Sequence, residues 1–115
     1  MPKNPMELRA IKIPTSTGSA TSGAASVEGE LVSITSEALT TAAGATYTLT
    51  ITNSRVSASS TCFASVRFGT STTGVPVITR ITPASGSVVV VLQNIHASAA
   101  FNGTLKLDLL VLNPA

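Results

Sequence analysis

The chain has 115 residues, of which 43% are hydrophobic and 10% are charged, and its formal net charge is +2. This length accommodates one domain, and the apolar content excludes a highly charged disordered chain, which buries too little apolar surface to offset the entropy of ordering. The single cysteine, Cys62, excludes an intrachain disulfide framework.

The N-terminal region differs in composition from the rest of the chain. Residues 8–13 form a short apolar segment that ends at Pro14, and residues 15–26 read TSTGSATSGAAS, with no large side chain to bury. Such a tract is typical of a flexible connector. We therefore predict an extended arm and linker over residues 1–26, followed by a folded domain over residues 27–115. The alternative is an ordinary first strand followed by a long loop.

From Val27 onward the apolar residues recur with a period of two, which indicates β-strands. In residues 46–52 every second residue is Thr, with Tyr47, Leu49 and Ile51 between them. Successive side chains of a strand point to opposite faces, so this segment has one buried face and one hydroxyl face.

Further strands are predicted over 62–68, 75–82, 87–93 and 105–112, with a strand pair within 27–39. Asn102-Gly103 predicts a turn, because both residue types accept positive φ. Seven or eight short strands predict an all-β protein, a small antiparallel β-sandwich with jelly-roll or Greek-key connections. The order of the strands cannot be read from the sequence.

The titratable residues do not predict a catalytic, cofactor or metal site. Cys62, His96 and Asp108 could form a nucleophile, a base and an orienting acid, but no strained nucleophile turn accompanies them. Cys62 alternates with core residues, and His96 is expected to be a loop residue bonded to backbone. Glu28 and Glu30 share one face without further oxygen ligands, which favours a solvated edge. We expect no enzymatic activity.

The charges are too few and too scattered for a nucleic-acid surface, which normally has a dense basic stripe. The first residues lack the unbroken apolar run of a secretory signal, and no stretch approaches the ~18 apolar residues of a membrane span. We therefore expect no nucleic-acid or membrane partner and synthesis in a cytoplasm.

Several apolar residues fall on the faces that we expect to point outward. Because few charges are available to keep these faces in water, we predict that they contact other subunits, for instance in a closed trimer. The alternative is a hydrophobic monomer kept soluble by its 32 Ser and Thr residues. The candidate oligomer-facing residues are Phe63, Ile78, Val89, Val91, Leu110 and Leu112.

Four segments carry a resemblance to small virion proteins of tailed bacteriophages. They are TTAAGATYTLTITNS (40–54), GVPV (74–77) with GSVVVV (86–91), NIHASAA (94–100) and NGT (102–104). The resemblance covers residues 38–112 and leaves the N-terminal arm outside.

The resemblance implies a capsid decoration, or cement, protein without catalytic residues, located on the capsid surface of the virion. Such a protein would bind the major capsid protein as a homotrimer and brace neighbouring capsid subunits. We hypothesise that the arm lies along a neighbouring subunit or a capsid subunit. Its candidate contact residues are Met6, Leu8, Arg9, Ile11, Lys12 and Ile13.

Two other functions fit the same composition. One is a virion protein associated with the tail, neck or fibre. The other is a carbohydrate-binding β-sandwich, which is disfavoured by the presence of one Tyr and no Trp, since sugar platforms need exposed aromatic faces.

Overall fold

The computed structural model describes residues 15–114, and the predicted contact residues of the arm lie outside this range. The described chain forms eight strands in two packed sheets, which confirms the predicted all-β sandwich. The strands are β1 (Thr15–Ser19), β2 (Ala24–Ser26), β3 (Leu31–Thr35), β4 (Thr46–Thr52), β5 (Thr61–Phe68), β6 (Pro76–Ala84), β7 (Ser87–Asn94) and β8 (Leu105–Leu112). Sheet A has the order β1-β3-β8-β5, and sheet B has the order β2-β4-β7-β6.

The core lies between the two sheets and follows directly from the alternation in the sequence. Every second residue of the central strands points inward, and apart from Tyr47 and Asn94 these residues are β-branched or Leu, which suit a pleated, buried surface. Phe101, from the β7–β8 connection, closes the core at one end and is 2% exposed. The central buried residues are Val32, Ile34, Leu49, Ile51, Val88, Val90, Leu107 and Leu109.

The segment 15–26 is part of the sandwich, so the predicted flexible linker is wrong for these residues. β1 pairs in parallel with β3, and β2 pairs in parallel with β4, so one continuous segment supplies an edge strand to each sheet. Ala20 and Ala25 are buried between the sheets. Small residues are required here, because a side chain at Gly18 would collide with Val27. The folded domain therefore already includes residue 15.

Two other predictions need correction. Residues 27–39 contain one strand, β3, rather than a pair. In β6 a β-bulge shifts the register between Ile78 and Arg80, so that Ile78 lies opposite Leu92 and Ile81 lies opposite Val90. The extra residue places both isoleucines on the inner face, where they pack against the core. Ile78 is thus not an outward-facing contact residue, contrary to the prediction.

The strand directions give the sandwich two different ends. One end of the sandwich contains the start of β1, the end of β8 and the turn of the β6–β7 hairpin, and we call it the hairpin end. The connections 36–45, 69–75 and 95–104 lie together at the other end, which we call the loop end. Thr15, the first residue that the structure describes, therefore lies at the same end as the β6–β7 hairpin.

Candidate interaction surface

The outer face of sheet A carries large apolar side chains in adjacent positions. Leu110 of β8 lies directly opposite Leu31 of β3 on one side and Phe63 of β5 on the other. Leu112 lies on the same face, two residues further along β8. Phe63 is 56% exposed and Leu112 is 45% exposed. We call these four residues the apolar patch.

A shallow groove of about 250 Å³ runs over the patch, lined by Leu31, Phe63, Ala64, Ser65, Asp108 and Leu110. Directly opposite cross-strand side chains lie close enough to form a continuous surface. Contiguous exposed apolar surface on a soluble domain commonly marks a site of protein contact.

The same face becomes charged towards the loop end. Asp108 accepts a hydrogen bond from Arg67, with 3.2 Å between Oδ2 and Nε, and Lys106 lies directly opposite Arg67. Burial alone would raise the pKa of Asp108, but the hydrogen bonds from Arg67 and Ser33 and the charges of Arg67 and Lys106 lower it below its ordinary value. Sheet A therefore presents an apolar half and a charged half.

The predicted oligomer-facing residues do not form one surface. Phe63, Leu110 and Leu112 belong to the apolar patch on sheet A. Val89 and Val91 lie on the outer face of sheet B, on the opposite side of the molecule. Their role in assembly stays a prediction.

The outer face of sheet B is more polar than the patch. Val91 lies between Thr48 and Arg80, and Val89 lies between Thr50 and Thr82 in the cross-strand register. Both valines are half-buried by these neighbours. Sheet A is consequently the stronger candidate for an apolar contact.

Leu31 is the patch residue that sequence reasoning missed. The sequence indicates a strand around Leu31, Val32 and Ile34 but not its neighbour in the sheet. The position of Leu31 beside Leu110 depends on strand order, and no local signal encodes that order.

At the loop end, one buried side chain holds three connections together. The amide oxygen Oδ1 of Asn94 accepts hydrogen bonds from the backbone N–H groups of Val75 (3.0 Å) and His96 (3.1 Å). Its Nδ2 donates to the carbonyl oxygens of Thr41 (3.1 Å) and Ala99 (2.8 Å). Asn94 is fully buried, and all of its ordinary hydrogen-bonding capacity is used. The loop end is therefore held in place by hydrogen bonds.

The three residues considered for nucleophilic chemistry are far from a catalytic arrangement. His96 lies at the loop end, where its Nδ1 accepts hydrogen bonds from the N–H groups of Ser98 and Ala99, which confirms the predicted backbone role. Cys62 and Asp108 are on opposite faces of sheet A, since Cys62 pairs with the inward Val111. Cys62 is free and half-buried, and burial raises the pKa of its thiol.

The two glutamates near β3 hold the connection between β4 and β5. Glu28 accepts hydrogen bonds from the backbone and hydroxyl of Ser54, and these bonds lower the pKa of its carboxyl. Glu30 forms an exposed ion pair with Arg55 at 3.5 Å. Both carboxylates are solvent-exposed, as predicted, but they lie in the connection before β3 and not on a strand.

A third glutamate closes the edge of sheet B. Glu37 accepts hydrogen bonds from the Tyr47 hydroxyl (2.7 Å) and the Gly23 N–H (2.8 Å). Burial raises the pKa of the Tyr47 hydroxyl, and the hydrogen bond to Glu37 raises it further. This contact fixes the segment before β2 against the β3–β4 connection.

Within residues 15–114, no three His, Cys, Asp or Glu side chains are grouped closely enough to hold a metal ion. The same part of the chain has no helix that is long and apolar enough to cross a membrane. No protein-family model, curated protein or solved structure matches the chain.

Proposed function

We propose that the protein is a capsid decoration protein of a tailed bacteriophage, which binds the outer shell and stabilises it through subunit contacts. The observation that carries this proposal is the apolar patch on the outer face of sheet A, in a chain with 10% charged residues. The resemblance of residues 38–112 to small virion proteins supports the same function.

The physical basis of the proposed stabilisation is simple. Burying one large apolar side chain contributes about 1.5–3 kcal/mol. A protein that binds the assembled shell but not the separated capsid subunits shifts the equilibrium towards the shell, and the effect is repeated at every bound copy. The sandwich supplies a stiff support for the patch, because Leu31, Leu110 and Phe63 lie on three hydrogen-bonded strands.

A shell-binding experiment tests the proposal. DNA-free shells that lack the protein, from a phage whose genome encodes it, are mixed with purified wild-type protein or with Leu112→Ser. We expect wild type to sediment with the shells and raise their disruption temperature, and Leu112→Ser to bind at least about tenfold more weakly.

Ile95→Ser is the matched control, because Ile95 is 55% exposed but lies at the loop end. It should bind like wild type. Equal losses for the two variants, or no binding by wild type, would contradict the proposal.

Immunogold labelling of intact particles tests the location. Decoration predicts gold over the whole head surface. Labelling confined to the tail or neck would instead support the alternative of a tail-associated virion protein.

A further inference from the structure

Four strands lie at the edges of the two sheets, and one of them, β5, lacks the usual protection against pairing. β6 is protected by Pro76, Pro83 and its bulge. β2 has only three residues, and β1 has five residues including Gly18. β5 has eight residues without Pro, Gly or a bulge, and no described strand pairs with its outer side. Its one charged residue, Arg67, forms an ion pair with Asp108 of β8, its neighbour within the sheet. A long, regular, open edge of this kind is a template for an added strand.

The apolar patch ends at this open edge. Phe63 is covered by Leu110 on one side and has no cross-strand neighbour on the other, which accounts for its 56% exposure. A strand added along β5 would pair the open backbone groups and also cover the Phe63 ring.

We propose that residues 8–13 of a second copy of this chain add as a strand to the edge of β5. The segment reads LRAIKI, which is short enough to match the edge and has Pro14 only at its end. In an extended chain Ile11 and Ile13 share one face. They supply the apolar neighbours that Phe63 lacks.

The same chain cannot supply this strand to itself. Thr15 lies on β1, at the opposite edge of sheet A from β5. A strand added beyond β5 is four strand spacings from β1, or about 19 Å. Four residues of extended chain, from Ile11 to Thr15, span at most ~14 Å. Ile11 and Ile13 therefore reach only the edge of another copy.

Such a contact joins two different surfaces, the arm of one copy and the edge of the next. Contacts of this type close into rings or continue as open filaments. Closure after three copies would give the homotrimer expected from the resemblance. The contact requires only the purified protein, so it is independent of shell binding.

The test combines analytical ultracentrifugation with amide hydrogen exchange on the full chain. We expect an oligomer in which the β5 amides that do not pair with β8 are protected from exchange with solvent. This protection should disappear on dilution to the monomer. Ile11→Asp/Ile13→Asp should weaken self-association at least about tenfold and remove the protection of β5. Phe63→Ser should have the same effect from the other side of the contact.

Lys3→Asp is the matched control, because it changes the net charge equally but lies outside the pairing segment. It should associate like wild type, and thermal unfolding verifies that all variants are folded. Protection of β5 that persists in the double variant would overturn the proposal in favour of β5 pairing with another strand. Protection that persists at every dilution would overturn it in favour of pairing within one chain. Failure of shell binding would affect only the proposed function.

Discussion

Single buried side chains hold the connections of this sandwich. Asn94 bridges three connections at the loop end. Asn53 bridges two segments at the opposite end, which contains the β6–β7 hairpin. Its Nδ2 donates a hydrogen bond to the Gly29 carbonyl (2.8 Å), and its Oδ1 accepts one from the Arg55 N–H (3.1 Å). Both asparagines are fully buried. A buried polar group that loses its partner costs more than the bond itself contributes, because the remaining group is left without water.

Replacement of Asn94 by Ala should destabilise the fold strongly. Two backbone donors and two carbonyl acceptors would lose their partner at once, so we expect the free energy of unfolding to fall by about 2–4 kcal/mol. Urea denaturation measures this change. Asn113→Ala is the control. It also removes hydrogen bonds to Ser60 and Arg55, but Asn113 is exposed, so water can replace them and the loss should be below about 1 kcal/mol. Similar losses in the two variants would show that Asn94 does not hold the loop end.

Gly103 shows where local sequence signals stop. The Asn102-Gly103 pair predicts positive φ, but neither residue adopts it. Glycine is required at position 103 for a different reason, since a Cβ there would lie 2.5 Å from the Thr70 Oγ1 and 2.7 Å from the Ser71 nitrogen. A close approach between segments distant in sequence cannot be recognised from the residues next to the glycine. The local sequence therefore suggests that glycine matters at position 103, but not that the contact with residues 70 and 71 is the reason.

Two carboxylates make the stability of the fold sensitive to acid. The folded-state pKa values of Glu28 and Asp108 lie below their ordinary values of 4.5 and 3.8. Their contribution is therefore complete above these ordinary values and is lost as the pH falls through the folded-state pKa values. We expect the free energy of unfolding, measured by urea denaturation, to decrease as the pH falls below these ordinary values. Glu28→Gln/Asp108→Asn should show a smaller decrease, and an unchanged pH dependence would contradict this assignment.

At the scale of strands, β4 to β8 could be predicted and β1 and β2 could not. β4 coincides with the predicted residues 46–52, because Thr alternates there with large apolar residues. β1 and β2 contain only Thr, Ser, Gly and Ala, and their order comes from pairing with β3 and β4. The sequence pattern predicts only part of the apolar patch. It shows which residues of a strand share a face, but the neighbours of that strand depend on the topology of the sheet.

A pair of adjacent alanines in β2 tests whether this segment is a structured edge. Ala25 points into the core and is 8% exposed, whereas Ala24 is exposed. Ala25→Asp buries an unpaired charge, so we expect a loss of at least about 3 kcal/mol in the free energy of unfolding. Ala24→Asp should change it by less than about 0.5 kcal/mol. A flexible linker would tolerate both substitutions equally, and chemical denaturation distinguishes the two cases.

For the molecule as a whole, most of the sheet pairing is non-local. β6–β7 is the one pair of consecutive strands joined as a hairpin within residues 15–114, and the other sheet neighbours are separated by at least one intervening strand. Long loops must close before such contacts form, and folds of this kind refold in milliseconds to seconds. The hairpin closes the shortest loop, so the entropy cost of starting to fold is lowest there.

Gly86 and Gly44 form a matched pair for testing this order. Gly86 lies in the β6–β7 turn with φ +79, and Gly44 lies in the β3–β4 connection with φ +81. An added Cβ meets no atom within 4 Å at either position, so alanine introduces only backbone strain, worth about 1 kcal/mol in each case. If the hairpin forms early, Gly86→Ala slows folding about fivefold and leaves unfolding unchanged, whereas Gly44→Ala mainly accelerates unfolding. Stopped-flow refolding and unfolding measure both rates, and the opposite assignment would place the nucleus at the connection between the sheets.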